Sequence, residues 1–193
     1  MTLLDLTKDD VRLRVATLAD VPSLEKLLNR CYRNDEGWTN EAHLIGGIRT
    51  TASELTNLIN KDNSYLFVFV SPTKDTTDDT ALLACISVEF TTMHHKKVAY
   101  IGTFAVAPEL QGKGIGNTLL SAVETFAARH ASSHQLDGFA MSILSHRPEL
   151  LAYYQRRGYQ TTKHTMPFPE DGNNGEPKQV GLLLEWLFKA ITV

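Results

Sequence analysis

The sequence predicts an α/β (α+β) fold, a mixed β-sheet with helices on both faces. Three observations carry this. An early series of strand patterns reads as an antiparallel meander, and β-α-β-α-β follows it. Val98–Val106 is apolar at nearly every position, as a central strand covered on both faces should be. The 193 residues, 42% hydrophobic and 21% charged, suit one globular domain over 1–193.

Residues 1–10 are polar with a few leucines and predict a loose arm or short helix. Val11–Val15 alternates Val, Arg, Leu, Arg, Val, a half-buried strand. Asp20 is the expected N-cap of a helix with Pro22 in its first turn and Leu24, Leu27, Leu28 and Cys31 as its apolar stripe. After a loop over Asn34–Trp38, helices are expected over Thr39–Ile48 and Thr51–Lys61, the latter with no clear cap. Tyr65–Val70 and Ala81–Phe90 read as a hairpin joined by the polar stretch Ser71–Thr80. Thr91–Lys97 is an expected turn, and Val98–Val106 returns, ended by Pro108. Lys113–Ala131 predicts a helix, Asp137–Leu144 a strand, Pro148–Arg157 a helix, Tyr159–Thr165 a strand segment, Met166–Pro177 a loop and Val180–Phe188 the last strand.

Gln111-Gly112-Lys113-Gly114-Ile115-Gly116 joins the central strand to its helix. Glycines allow close backbone approach, and a helix start offers unpaired N–H groups and positive potential, so the loop reads as an anion site suited to a pyrophosphate. A dinucleotide fingerprint starting at Gly112 needs glycine where Asn117 stands. A Walker loop needs Ser or Thr after Lys113 and glycine at Ala107. Gln-x-x-Gly-x-Gly is satisfied by Gln111, Gly114 and Gly116, and here the chain resembles the GNAT superfamily of acyl-CoA-dependent N-acetyltransferases, over roughly Val11 to Phe188.

The resemblance implies a GNAT fold with splayed central strands and acetyl-CoA as co-substrate. It implies that the backbone of Phe104, Ala105 and Val106 holds the pantetheine arm, and that Gln111, Gly112, Lys113, Gly114, Ile115, Gly116 and Asn117 hold the phosphates. Tyr154, four residues before Gly158, matches the acid that protonates the leaving thiolate; Tyr153, about 100° round the helix, is expected in the core. Where the family often has Asn seven residues before this Tyr, the chain has Arg147, expected either to reach the phosphates or to fix the loop. The family's Glu base corresponds to Tyr100, which leaves Glu89 as the substitute and His94 and His95 as further candidates. Trp38, His43 and Arg49 fall in the region that covers the acceptor, Arg49 suiting a carboxylate and Trp38 an amine.

The formal charge of −3 argues against a nucleic-acid binder, and no apolar run is long enough to cross a bilayer. The N-terminus lacks a basic region. Two cysteines, Cys31 and Cys85, without metal-ligand spacing, read as buried thiols of a cytoplasmic protein. The function expected is acetyl transfer from acetyl-CoA to a primary amine of a small molecule by direct attack. The alternatives are a non-catalytic CoA-binding sensor, or a protein or peptide N-acetyltransferase. A homodimer through the final strand is a further expectation.

Overall fold

The computed structural model describes residues 13–70, 82–169 and 174–191. The expected N-terminal arm and polar connection, with part of the late loop, lie outside them. In chain order the elements are β1 (Leu13–Val15), α1 (Val21–Arg33), β2 (Ile45–Gly46), α2 (Ala52–Asn60), β3 (Ser64–Val70), β4 (Leu82–Met93) and β5 (Lys96–Val106). Then come α3 (Ile115–Arg129), α4 (Ala131–His134), β6 (Gly138–Leu144), α5 (Pro148–Gln155), β7 (Gln160–Pro167), β8 (Glu176–Pro177) and β9 (Leu183–Ala190).

Seven strands form one sheet in the order β1-β3-β4-β5-β6-β9-β7, and β2 pairs with β8 apart from it. Within the seven-stranded sheet, β5 and β6 are parallel and the other neighbours antiparallel. Alternation along β4 assigns its two faces. Ile86, Val88 and Phe90 pack in the cluster that includes Leu119, Leu120 and Val123 of α3. Cys85 packs with Leu24, Leu28 and Leu55 of α1 and α2. Helices thus cover both faces, as the period-2 pattern requires.

The sheet opens at its centre. β5 and β6 pair only at Val98, Ala99 and Tyr100 against Gly138, Phe139 and Ala140. Beyond that point β5 stays paired to β4 as far as Val106, and β6 to β9 as far as Leu144. The two strands therefore diverge toward their carboxyl ends, where open α/β sheets place ligands. On β5 a bulge accompanies the divergence: Cys85 pairs with Ala105 and Ser87 with Gly102, so two residues face Ile86 alone, and one of them, Thr103, has φ +43°.

Several expectations are corrected. The helix over Thr39–Ile48 is replaced by turns and the short strand β2, because the carbonyls of Trp38 and Asn40 accept from Arg147 instead of from helical N–H groups. Asp20 does not cap α1 with its side chain; its carboxylate binds Arg14 and the Thr17 N–H. α2 has a cap after all, a reciprocal box between Thr51 and Glu54. The turn expected over Thr91–Lys97 shrinks to His94-His95, both at positive φ, as a two-residue hairpin turn demands. β9 lies between β6 and β7, so the last strand has no free edge with which to pair across a dimer.

The core holds five weak acids whose burial raises their pKa. The Cys31 thiol is pushed up to about 11 and the Cys85 thiol to about 12. The Tyr32, Tyr154 and Tyr159 phenols are pushed above their ordinary value of 10.0. The folded state keeps these protons after the unfolded chain has released them, so their contribution is fully present below about pH 9 and is lost as pH rises. Thermal melts should show Tm falling by roughly 5 °C or more by about pH 10.5. A level Tm over that range would contradict the burial of these groups.

Candidate active site

Two cavities meet in the opened wedge. The first, of about 580 Å³, runs along the carboxyl end of β5, the glycine loop and α5, between Trp38, Gln111, Gly114 and Tyr153. The second, of about 260 Å³, opens on the α1/α2 face and is lined by Arg49, Glu89, Tyr100 and Ser142 among others. Tyr32, Phe104, Leu150 and Tyr154 border both. These four residues stand at the throat where the two cavities adjoin.

The glycine loop shapes the first cavity. Gly112 and Gly114 have φ +76° and +84°, and a Cβ on either would meet nothing within 4 Å. The backbone is therefore bent, with open space where a side chain at either position would stand, and such a loop can present its N–H groups to an anion. Gly114 is the N-cap of α3. Lys113 is exposed beside it, and Arg156 and Arg157 line the same cavity. Positive charge and the N-terminus of α3 thus converge on this cavity, a combination suited to an anion. The side chain of Gln111 also makes a structural tie: its amide donates to the Val106 carbonyl at 2.8 Å and accepts from the Trp38 N–H at 2.5 Å. It ties the strand end to the loop that carries Trp38.

Asn117 accepts from the Tyr153 hydroxyl at 3.0 Å and from Arg157 Nε at 2.9 Å. The Arg157 guanidinium lies 3.4 Å from the Tyr153 ring centroid. Tyr153 is therefore half-buried on the cavity wall, not in the core, and its ring stands 5.5 Å from that of Trp38. The correction is geometric: α5 lies along the wedge, so two successive helix positions both face it.

Tyr154 is 8% exposed. Burial, reinforced by Tyr32 and Tyr153, pushes its pKa up, so the phenol stays protonated at neutral pH. Tyr32 was not anticipated. Its place in the apolar stripe of α1 gave no signal, yet its hydroxyl donates to the Phe104 carbonyl at 2.6 Å and fixes the bulged strand at the throat.

Arg147 is 4% exposed. It donates to the carbonyls of Trp38 at 2.9 Å and Asn40 at 3.2 Å and also holds Glu149. Its side chain borders the first cavity but its donors go to the loop. Arg33 and Glu41 pair at 3.2 Å behind that loop. Glu89 lines the second cavity and pairs with Lys61 at 2.7 Å. Arg49 lines the same cavity; Trp38 stands at the first, and exposed His43 lines neither. His94 and His95 lie at the β4–β5 turn and line neither, His94 stacking on His164 at 4.1 Å.

A family model described as "Acetyltransferase (GNAT) family" matches residues 21–159. The chain belongs to the GNAT acetyltransferase family. It is an acetyl-CoA-dependent acyltransferase. No curated protein sequence matches it. Among solved structures it resembles Arabidopsis thaliana NAA60 in complex with acetyl-CoA, with 13% identity over 94% of this chain and 98% of that one, and a TM-score of 0.66. An N-acetyltransferase from Staphylococcus aureus Mu50 shares 18% identity over 93% and 97%, with a TM-score of 0.62. A variant of the spermidine N-acetyltransferase SpeG from Vibrio cholerae shares 17% over 92% and 94%, with a TM-score of 0.58. At these identities the likeness is one of fold. Among the described residues, no helix is long and apolar enough to cross a membrane.

The GNAT loop geometry carries a direct expectation. Replacing Gly114 by Val puts a branched side chain at φ +84°, a conformation it resists. The strain costs about 1–2 kcal/mol and is relieved by changing the bend of the loop. Coenzyme A affinity, measured by calorimetry, should fall by at least about 10-fold. An unchanged affinity would remove the loop from the phosphate site.

Proposed function

We propose that the chain moves an acetyl group from acetyl-CoA to a primary amine of a small molecule, the amine attacking the thioester directly. The observation that carries this reading is the throat: two cavities of different chemistry meet at Tyr154 and the Phe104 carbonyl. The first takes acetyl-CoA, with the loop of Gln111–Asn117 and Lys113 on its phosphates and the open edge of β5 at Phe104–Val106 along its pantetheine arm. Bound there, acetyl-CoA supplies an activated acyl carbon and a thiolate leaving group. The second cavity takes the amine.

In this reading the chain's own groups do three things. A backbone N–H near Phe104 or Ala105 donates to the carbonyl oxygen on which charge develops. Tyr154 gives its proton to the departing sulfur, and its raised pKa keeps that proton in place until it is needed. Glu89, 23% exposed at its side chain on the amine side, accepts the proton the ammonium must lose. Direct attack is supported by both thiols. Cys31 and Cys85 are buried, their sulfurs donate to the Val106 and Thr103 carbonyls, and their raised pKa keeps them from being thiolates. A cytoplasmic setting belongs to the same reading.

The test is thiol release from acetyl-CoA over a panel of amines, amino acids, polyamines and short peptides, with thermal melts in coenzyme A alongside. Stabilisation with turnover on a small amine is the expected result. Stabilisation without turnover on any amine would make the chain a CoA-binding sensor, and turnover confined to peptides would move the acceptor to a polypeptide.

A further inference from the structure

The second cavity carries information about what enters it, on the reading that it is the acceptor site. Among its described lining residues only Arg49 and Glu89 are charged. They are in opposite situations. Glu89 pairs at the rim with Lys61 Nζ at 2.7 Å and keeps its carboxylate on the cavity. Arg49 has no carboxylate partner among the described residues; its guanidinium donates only to the side-chain amide oxygen of Asn174 at 3.1 Å and lies 5.2 Å from the Tyr32 ring centroid. The neighbouring guanidiniums are not in this state. Arg14, Arg30, Arg33 and Arg147 each hold a carboxylate. Arg33 also donates to the Asn174 carbonyl at 2.6 Å, so two cations flank that residue on the loop behind the cavity.

Arg49 is also held in place. Asn29 on α1 accepts from the Arg49 N–H at 2.6 Å and donates to the Thr50 carbonyl at 3.0 Å, so one amide pins the backbone on either side of the arginine. A fixed, half-buried guanidinium that faces a cavity and, among the described residues, has donors to spare is the arrangement that reads a carboxylate by paired N–H···O bonds. The Tyr32 ring lies between it and the throat: the guanidinium is at the ring, and the tyrosine hydroxyl bonds the Phe104 carbonyl.

We propose that the acceptor is a free amino acid or a compact amino carboxylate, its carboxylate on Arg49 and its amine directed past Glu89 to the throat at Tyr154. The opposed charges of the cavity are the image of a zwitterion. A polyamine finds there a guanidinium with no carboxylate partner among the described residues and one carboxylate shared with Lys61, which is the wrong balance for a polycation. A peptide N-terminus carries no carboxylate at that spacing unless its first side chain supplies one. Arg49 is a specificity-determining residue in this scheme, distinct from the groups at the reacting carbonyl.

The experiment compares the twenty amino acids with their carboxamides, spermidine and neutral tripeptides, by thiol release from acetyl-CoA and by melting of the coenzyme A-bound protein. At least one amino acid should be turned over about 10- to 100-fold faster in kcat/KM than its carboxamide. Arg49→Gln should bring that ratio close to one, and Arg49→Lys should restore only part of it, while coenzyme A still raises Tm in both variants. Carboxamides, spermidine or tripeptides serving equally well would overturn the proposal, as would an Arg49→Gln effect equal on acids and amides. Were no acceptor turned over at all, the acetyl-transfer reading would fail. The carboxylate site would then stand or fall separately, on whether amino acids further stabilise the coenzyme A complex and lose that effect in Arg49→Gln.

Discussion

Tyr154→Phe should lower kcat by roughly 10²- to 10³-fold, the usual worth of a positioned general acid, and leave coenzyme A-induced stabilisation as it is. The phenol stands where both cavities meet, and its hydroxyl makes no hydrogen bond among the described residues, so it is uncommitted to the fold. The other three tyrosine hydroxyls around it are committed: Tyr32 to the Phe104 carbonyl, Tyr153 to Asn117 and Tyr159 to Glu124. The ring packs edge-on against Tyr153 at 5.1 Å and Tyr159 at 5.8 Å, contacts that phenylalanine keeps. Stability should therefore change by less than about 1 kcal/mol. The pH dependence gives a second check. Because burial raises this pKa, the acid form persists through neutrality and beyond the ordinary phenol value of 10.0, so the wild-type kcat should show no alkaline loss from this group below about pH 10. Turnover by Tyr154→Phe at the wild-type rate would take the proton-donor role from Tyr154.

The parts legible in the sequence were those governed by local pattern. Alternation in β4 put Cys85, Ser87 and Glu89 opposite Ile86, Val88 and Phe90, and the core clusters divide along that line. The glycine spacing located the loop, since positive φ at residues 112 and 114 is a demand that a sequence records directly. Elements held by distant side chains were less legible. Nothing local in Thr39–Ile48 announces that a guanidinium more than 100 residues away will take its carbonyls, so its helical pattern misled. Tyr32 was hidden for the same reason. In an apolar stripe a tyrosine looks like packing, and its partner is a carbonyl on β5. The placement of Trp38 beside Tyr153, on the first cavity, likewise depends on Gln111 drawing its N–H toward the strand end. The capping box at Thr51 is written in the local pattern Thr51-x-x-Glu54, although the expectation for this helix was no clear cap.

Arg147→Ala should damage both halves of the site at once. The guanidinium is buried, and it is the clasp on a loop that borders both cavities: Trp38 and Thr39 on the first and, further along, Arg49 on the second. Removing it leaves the Trp38 and Asn40 carbonyls without their donor and withdraws a cation from Glu41, which then rests on Arg33 alone. Loss of one partner from a buried charged network costs about 3 kcal/mol or more, so Tm should drop by roughly 6–12 °C. Arg147→Lys should recover little of this, because a point charge with three donors cannot span the acceptors a planar fork reaches. Kinetics separate this role from direct contact with phosphate. A clasp predicts that the KM values for acetyl-CoA and for the amine rise together, by about 10-fold each, with Gln111→Ala acting in the same direction through the Trp38 N–H it accepts. A rise in the acetyl-CoA KM alone, with weaker inhibition of the variant by coenzyme A but unchanged inhibition by dephospho-coenzyme A, would instead make Arg147 a ligand of the 3′-phosphate. The geometry favours the clasp, because the donors of this arginine are already spent on the chain itself.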